Sequence, residues 1–155
     1  MAIDLGLPVI QSRTCGSCTK CCEGYLQANV DGVEIRGTGC ALLQIGKGCS
    51  IYEKRPYDPC QTFKCLWQVS EEVPEEFKPS ESNVIMMVDE LYGERYILAK
   101  EAGAKMPAEV VTWLFGQALN SNNNICYEIN GRFYYYGSKR FIEIMQKDSG
   151  TTFTV

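Results

Sequence analysis

An α+β fold in one small domain is what the sequence predicts, and three observations predict it. Eight of the nine cysteines lie between Cys15 and Cys65, in a half that lacks long periodic segments and so should be metal-centred. Residues 84–147 carry two β-hairpin patterns and two helical ones. The length of 155 residues is that of an ordinary single domain, and a 45% hydrophobic, 22% charged composition can build a core. One domain over 1–155 is therefore expected, with a cysteine-cluster region at 15–67 and an α+β region at 84–147.

The elements follow in order. Tyr25 to Arg36 reads as two short strands around Asp31-Gly32. Asp58-Pro59 with Gln61 beyond resembles a helix start, and a short helix is expected to run to about Val69. Ser70 to Ser82, with two prolines and five glutamates, reads as a connecting loop with a solvated surface. Val84–Val88 and Arg95–Ala99 are apolar runs flanking a turn at Gly93, a second hairpin. Pro107 opens a helix to Asn120, on which Val110, Val111, Leu114, Ala118 and Leu119 recur at helical spacing. Ser121 to Asn124 stops it. Ile125–Ile129, Asn130-Gly131 and Arg132–Tyr136 give the clearest local signal, a hairpin with a type I′ turn. Its register places Tyr127 opposite Tyr134 and Cys126 opposite Tyr135. Ser138 is placed to cap a last helix to about Lys147, with Phe141, Ile142 and Met145 on its buried side.

Charge and termini narrow the function classes. Fifteen Lys plus Arg against 19 Asp plus Glu give a net charge of -4, so the basic footprint of a nucleic-acid binder is missing. The Arg132-Phe-Tyr-Tyr-Tyr136 stretch with Lys139 and Arg140 suggests an aromatic, basic platform, but a half-buried strand leading into a helix is the better reading. Met1 to Ile10 has no basic n-region, and no window reaches the ~18–20 apolar residues of a membrane span. A cytoplasmic protein without a membrane partner is expected, in a compartment that keeps thiols reduced. An odd cysteine count there points to metal ligation ahead of a disulfide framework.

The string Cys15-Gly-Ser-Cys18-Thr-Lys-Cys21-Cys22 carries the chemistry. Thiolates are soft ligands that select zinc, copper(I) or iron–sulfur clusters. Two-residue gaps let successive sulfurs turn back to one centre, and Gly16 eases the turn. The C-x2-C-x2-C run also matches one that feeds a cubane iron–sulfur cluster, without the later Cys-Pro of that run. Adjacent residues point in different directions, so Cys21 and Cys22 either serve two centres or one of them only packs. Cys40, Cys49, Cys60 and Cys65 follow. Five residues separate Cys60 from Cys65, about 140° on a helix. Either the helix begins nearer Cys65 or the two face different partners.

These residues carry a resemblance. The CxxCxxCC string, the later Gly48-Cys49-Ser-Ile-Tyr-Glu-Lys-Arg55-Pro56, the Pro59-Cys60 pair and the Phe63-Lys-Cys65-Leu-Trp67 segment together resemble the CxxCxxCC zinc- or iron-chelating cysteine-cluster family (YkgJ-like). The resemblance covers Cys15 to about Trp67, with a weaker echo at Pro74–Pro79. It implies metal binding by Cys15, Cys18, Cys21, Cys22, Cys40, Cys49, Cys60 and Cys65. A similar cysteine segment occurs in flagellin lysine methylases, but no Rossmann-type fingerprint supports methyl transfer here.

The chain has no histidine, so no His base, His ligand or Cys-His pair exists. That leans away from an enzyme and leaves cysteine as the ligand, with a 4Fe–4S cluster expected ahead of Zn2+. Arg55 could neutralise a thiolate cluster, although a surface arginine at a turn is the plainer reading. Two functions remain open. One is a structural or binding module with an all-cysteine centre, acting with another protein. The other is a redox protein, or an accessory subunit of an enzyme, that moves electrons through the cluster.

Overall fold

Asn130 and Gly131 both take left-handed backbone angles (φ 51° and 77°), so their strands fold back as the Asn-Gly pair requires. The computed structural model describes residues 3–44 and 47–149. It is an α+β fold with three small sheets. Strands β1 (Asn29–Val30) and β2 (Val33–Glu34) pair antiparallel around the Asp31-Gly32 turn, as expected. Strands β3 (Leu43–Gln44) and β4 (Gly48–Cys49) form a second two-stranded ribbon.

The third sheet is the body of the fold. Strands β5 (Val84–Leu91), β6 (Glu94–Glu101), β7 (Asn124–Ile129) and β8 (Arg132–Tyr136) lie in that order. Both expected hairpins are present, and the register does pair Tyr127 with Tyr134 and Cys126 with Tyr135. The two hairpins join through a parallel pairing, with Ile97 opposite Ile125 and Leu98 opposite Cys126. Helix α3 (Ala108–Ser121) is the crossover that a parallel pair needs. It starts after Pro107 and ends where Asn122 turns left-handed (φ 54°).

The sheet is covered on both faces, which explains why the start of β7 is buried throughout. Ile125 and Tyr127 point into the main core with Val110 and Leu114 of α3. Cys126 points the other way, to a second core with Tyr135, Phe141 and Met145. The last two belong to helix α4 (Lys139–Ser149), whose start is capped by a hydrogen bond from Phe141 N–H to Ser138 Oγ at 3.1 Å. Fully burying a Phe or Ile side chain contributes roughly 1.5–3 kcal/mol, so these faces supply much of the fold's stability.

Two expectations need correction. The helix expected from Asp58 to Val69 is broken. Tyr57–Gln61 forms one wide turn with Asp58 extended (φ -111°, ψ 127°) and a cis Asp58-Pro59 bond. Asp58 Oδ1 accepts from Thr62 Oγ1 at 3.0 Å and caps no helix. Helix α1 runs only over Leu66–Val69, started by an extended Cys65 (φ -67°, ψ 155°). The segment 70–82 is also more than a loop. Val73 and Phe77 are buried in the main core, a turn spans Glu75–Phe77, and helix α2 covers Pro79–Ser82.

The first half joins this body through Leu26, buried in the main core, and through polar ties. Arg13 is buried and donates through Nη1 to Trp67 O (2.9 Å) and Ser70 O (2.8 Å), its guanidinium 5.3 Å from the Trp67 ring centre. Lys100 Nζ on β6 donates to Tyr25 O at 2.9 Å. Among the described residues no helix is long and apolar enough to cross a membrane.

Candidate metal centre

The cysteine half has almost no apolar core of its own. Among the described residues from 15 to 65, the buried apolar side chains are Leu26, Val30, Ile35 and Cys65. Every other buried apolar residue lies at Leu66 or beyond. What occupies the interior of the first half is sulfur. All nine cysteines are free thiols, seven of them half-buried and two, Cys65 and Cys126, buried.

Local geometry gathers eight of them. Cys15 to Cys18 is a turn, closed by Cys18 N–H to Cys15 O at 2.8 Å with Gly16 left-handed (φ 55°). A second turn over Lys20–Cys22 is closed by Cys22 N–H to Thr19 O at 2.9 Å. The chain then reverses through β1 and β2 and returns to the same place, where Cys40 N–H donates to Cys22 O at 2.8 Å. Gly24 permits this return: a Cβ there would stand 2.7 Å from Gly39 N, which only glycine avoids. Cys40 begins the turn into β3, whose Leu43 lies opposite Cys49 on β4. Strand β1 packs on the Tyr57–Gln61 turn that carries Cys60.

Cys65 is held differently. As the residue capping α1, it forms a capping box with Gln68, with Cys taking the place that Ser or Thr usually fills. Gln68 in turn donates through Nε2 to Cys15 Sγ at 3.0 Å, while its Oε1 lies 3.7 Å from Cys65 Sγ. Cys15, Cys18 and Cys65 line a small cavity of about 10 Å3 with Trp67, Gln68, Lys78 and Pro79.

The thiols feel one another. Burial, and then the neighbouring charges of Cys15 and Cys18 among others, push the Cys65 thiol up to about 12. Burial first and Cys18 next raise Cys15, which Arg55 and Lys78 partly offset. Cys21 donates its S–H to Cys22, which raises Cys21 and brings Cys22 down to about 7, against the opposing effects of burial and Glu23. Arg55 also favours the Cys22 thiolate. Burial, followed by Cys22, Cys40 and Cys49, raises Cys60. Metal binding would favour the thiolate form of the cysteines that ligate.

The donor set fits a soft metal in kind: thiols only, clustered, with basic residues facing them. The sulfurs do not form a closed ligand shell. Among the described residues no three Cys, Asp or Glu side chains stand in a metal-ligating arrangement. Cys126 lies apart from all eight, in the core between the sheet and α4.

Residue-by-residue reading of the sequence did not single out Gln68 or Lys78. The signal for Gln68 was present, since it stands three residues after a cysteine that opens a helix. Arg55 is half-buried, stacks 3.9 Å over the Tyr52 ring, and acts on three of the thiols. The aromatic run at 132–136 packs on its own chain: Tyr134 stacks on Tyr127, Tyr135 meets Phe141 edge-on, and Tyr136 tilts against Phe115.

No family model, no curated protein and no solved structure matches this chain.

Proposed function

We propose that this is a cytoplasmic metal-binding protein whose first half is organised by an all-cysteine centre, as the resemblance to the CxxCxxCC family implies. It acts as a structural or binding module that works with another protein. The observation that carries this reading is the exchange of core for sulfur. A stretch of some fifty residues with three buried apolar side chains besides cysteine holds eight clustered thiols. Small folds of that kind need a staple, and free thiols in a reducing compartment supply one by ligation.

A 4Fe–4S cluster is the favoured occupant and Zn2+ the other, both held by Cys15, Cys18, Cys21, Cys22, Cys40, Cys49, Cys60 and Cys65. The lack of histidine supports the cluster, and the frequency of four-cysteine structural sites supports zinc. When bound, a cluster supplies electron transfer and zinc supplies only structure. Anaerobic purification with metal and inorganic sulfide counted per chain tests the reading. A brown protein with iron and sulfide in equal amounts is expected and would remove zinc as the main occupant. A colourless protein with zinc and no sulfide would keep the structural module and remove the cluster. A protein that takes up neither metal would overturn the proposal.

A further inference from the structure

Resting on that reading, we infer that the eight thiols divide into two separate four-thiolate metal sites, with the Cys21–Cys22 peptide bond as the boundary between them. The first site is Cys15, Cys18, Cys21 and Cys65. The second is Cys22, Cys40, Cys49 and Cys60.

The first set converges on the protein body. Cys15, Cys18 and Cys65 line one cavity, and Gln68 reaches both Cys15 and Cys65. Cys21 is packed against the main core, in which Cys65 is buried. The second set converges on the far side of the turn. Cys22 O accepts from Cys40 N–H, and the backbone of Gly39 lies against that of Cys22 and Glu23. The turn after Cys40 leads into the ribbon that carries Cys49. Strand β1, on the path from Cys22 to Cys40, packs on the turn that carries Cys60.

The two sets touch where the Cys21 S–H donates to Cys22. Cys21 packs against the main core while the Cys22 carbonyl holds Cys40, so the dipeptide can serve a centre on each side. Two centres of four sulfurs each use every clustered thiol, whereas a single four-coordinate centre would strand four thiols at the surface of a coreless half.

The sites also differ in access. The first is backed by Trp67, Pro79 and the main core, and its Cys15 receives an N–H from Gln68. The second is built from loops and two-residue strands. Metal in the second site should therefore exchange first.

Two measurements on the full chain test the division. Cobalt(II) is titrated anaerobically into metal-free protein while the thiolate-to-metal absorption is followed. Saturation at two cobalt ions per chain is expected; saturation at one overturns the division. The second compares variants loaded as the wild type is. Cys18→Ser with Cys65→Ser, and separately Cys49→Ser with Cys60→Ser, should each keep half of the wild-type metal. Cys18→Ser with Cys49→Ser should lose both sites. Loss of all metal in both of the first two variants, with the wild type loaded, would mean one shared centre. A wild type that binds no metal would instead remove the function on which the division rests. The titration uses no variant, so a poorly folding double mutant leaves the answer intact.

Discussion

The side-chain amide of Gln68 donates a hydrogen bond to Cys15 Sγ across 3.0 Å. It ties the first cysteine of the chain to the helix that Cys65 opens, fifty residues later. Hydrogen bonds to a ligand atom orient it and stabilise its charged form, and losing such a partner commonly costs about 10- to 100-fold in metal affinity. Gln68→Leu should weaken metal binding by that amount while the second set of thiols keeps its share. Competition with a coloured chelator measures it. Unchanged affinity would mean that Gln68 only caps α1.

Cys126 should be dispensable for metal. Its thiol lies in the second core beside Tyr135 and Phe141. Cys126→Ala should leave metal content unchanged and cost roughly 1–3 kcal/mol of stability. Loss of metal would show the ligand set to be misread.

The same residue makes a pH prediction. Burial, with smaller effects from Asp89 and Glu128, pushes the Cys126 thiol up to about 12 from an ordinary 9.0. Below the ordinary value the thiol is protonated in both states and its contribution is fully present. Between about 9 and 12 the unfolded chain releases this proton while the folded chain keeps it. The unfolded state then binds fewer protons, and stability falls as pH rises. Urea unfolding of wild type and Cys126→Ala should show a stability gap that narrows above about pH 9. A gap that stays constant to about pH 11 would place Cys126 in a wetter site than described.

Gly137 abuts Asn124, a buried hub that fixes three elements. Asn124 Nδ2 donates to Arg95 O at 3.0 Å, and its Oδ1 accepts from Ser138 N–H at 2.9 Å. A Cβ at position 137 would collide with that oxygen. Gly137→Ala should cost roughly 1–3 kcal/mol, read from the urea midpoint, without changing metal content. A neutral result would mean that the β8–α4 junction shifts freely.

Much of the second half was legible because its signals are local. Asn130-Gly131 fixes a turn type, the turn fixes a register, and the register puts Cys126 opposite Tyr135. The pairing of β6 with β7 was not legible, since partner choice across a helical crossover leaves no local pattern. Val73 and Phe77 were hidden among glutamates, where two apolar residues show no period. The five-residue gap between Cys60 and Cys65 left open a helix that begins nearer Cys65, and that is where α1 starts. At the candidate site the spacing marked Cys15, Cys18 and Cys21, and the resemblance supplied the full set of eight. The division inferred for them rests on the return of Cys40 to Cys22, a contact made by the folded backbone.

The central claim is that metal holds the cysteine half together, and segment-resolved hydrogen exchange tests it most directly. Structural thiolate sites contribute on the order of 10 kcal/mol or more to folding in small metal-dependent domains. The two cores of the β5–β8 sheet are built mostly from residues beyond Cys65, with Leu26 and Cys65 the buried contributions of the cysteine half. Anaerobic protein with and without bound metal should differ sharply over residues 15–65, where protection collapses on metal removal, and little over residues 84–147. Equal protection of residues 15–65 in verified metal-free and metal-loaded protein would contradict the account.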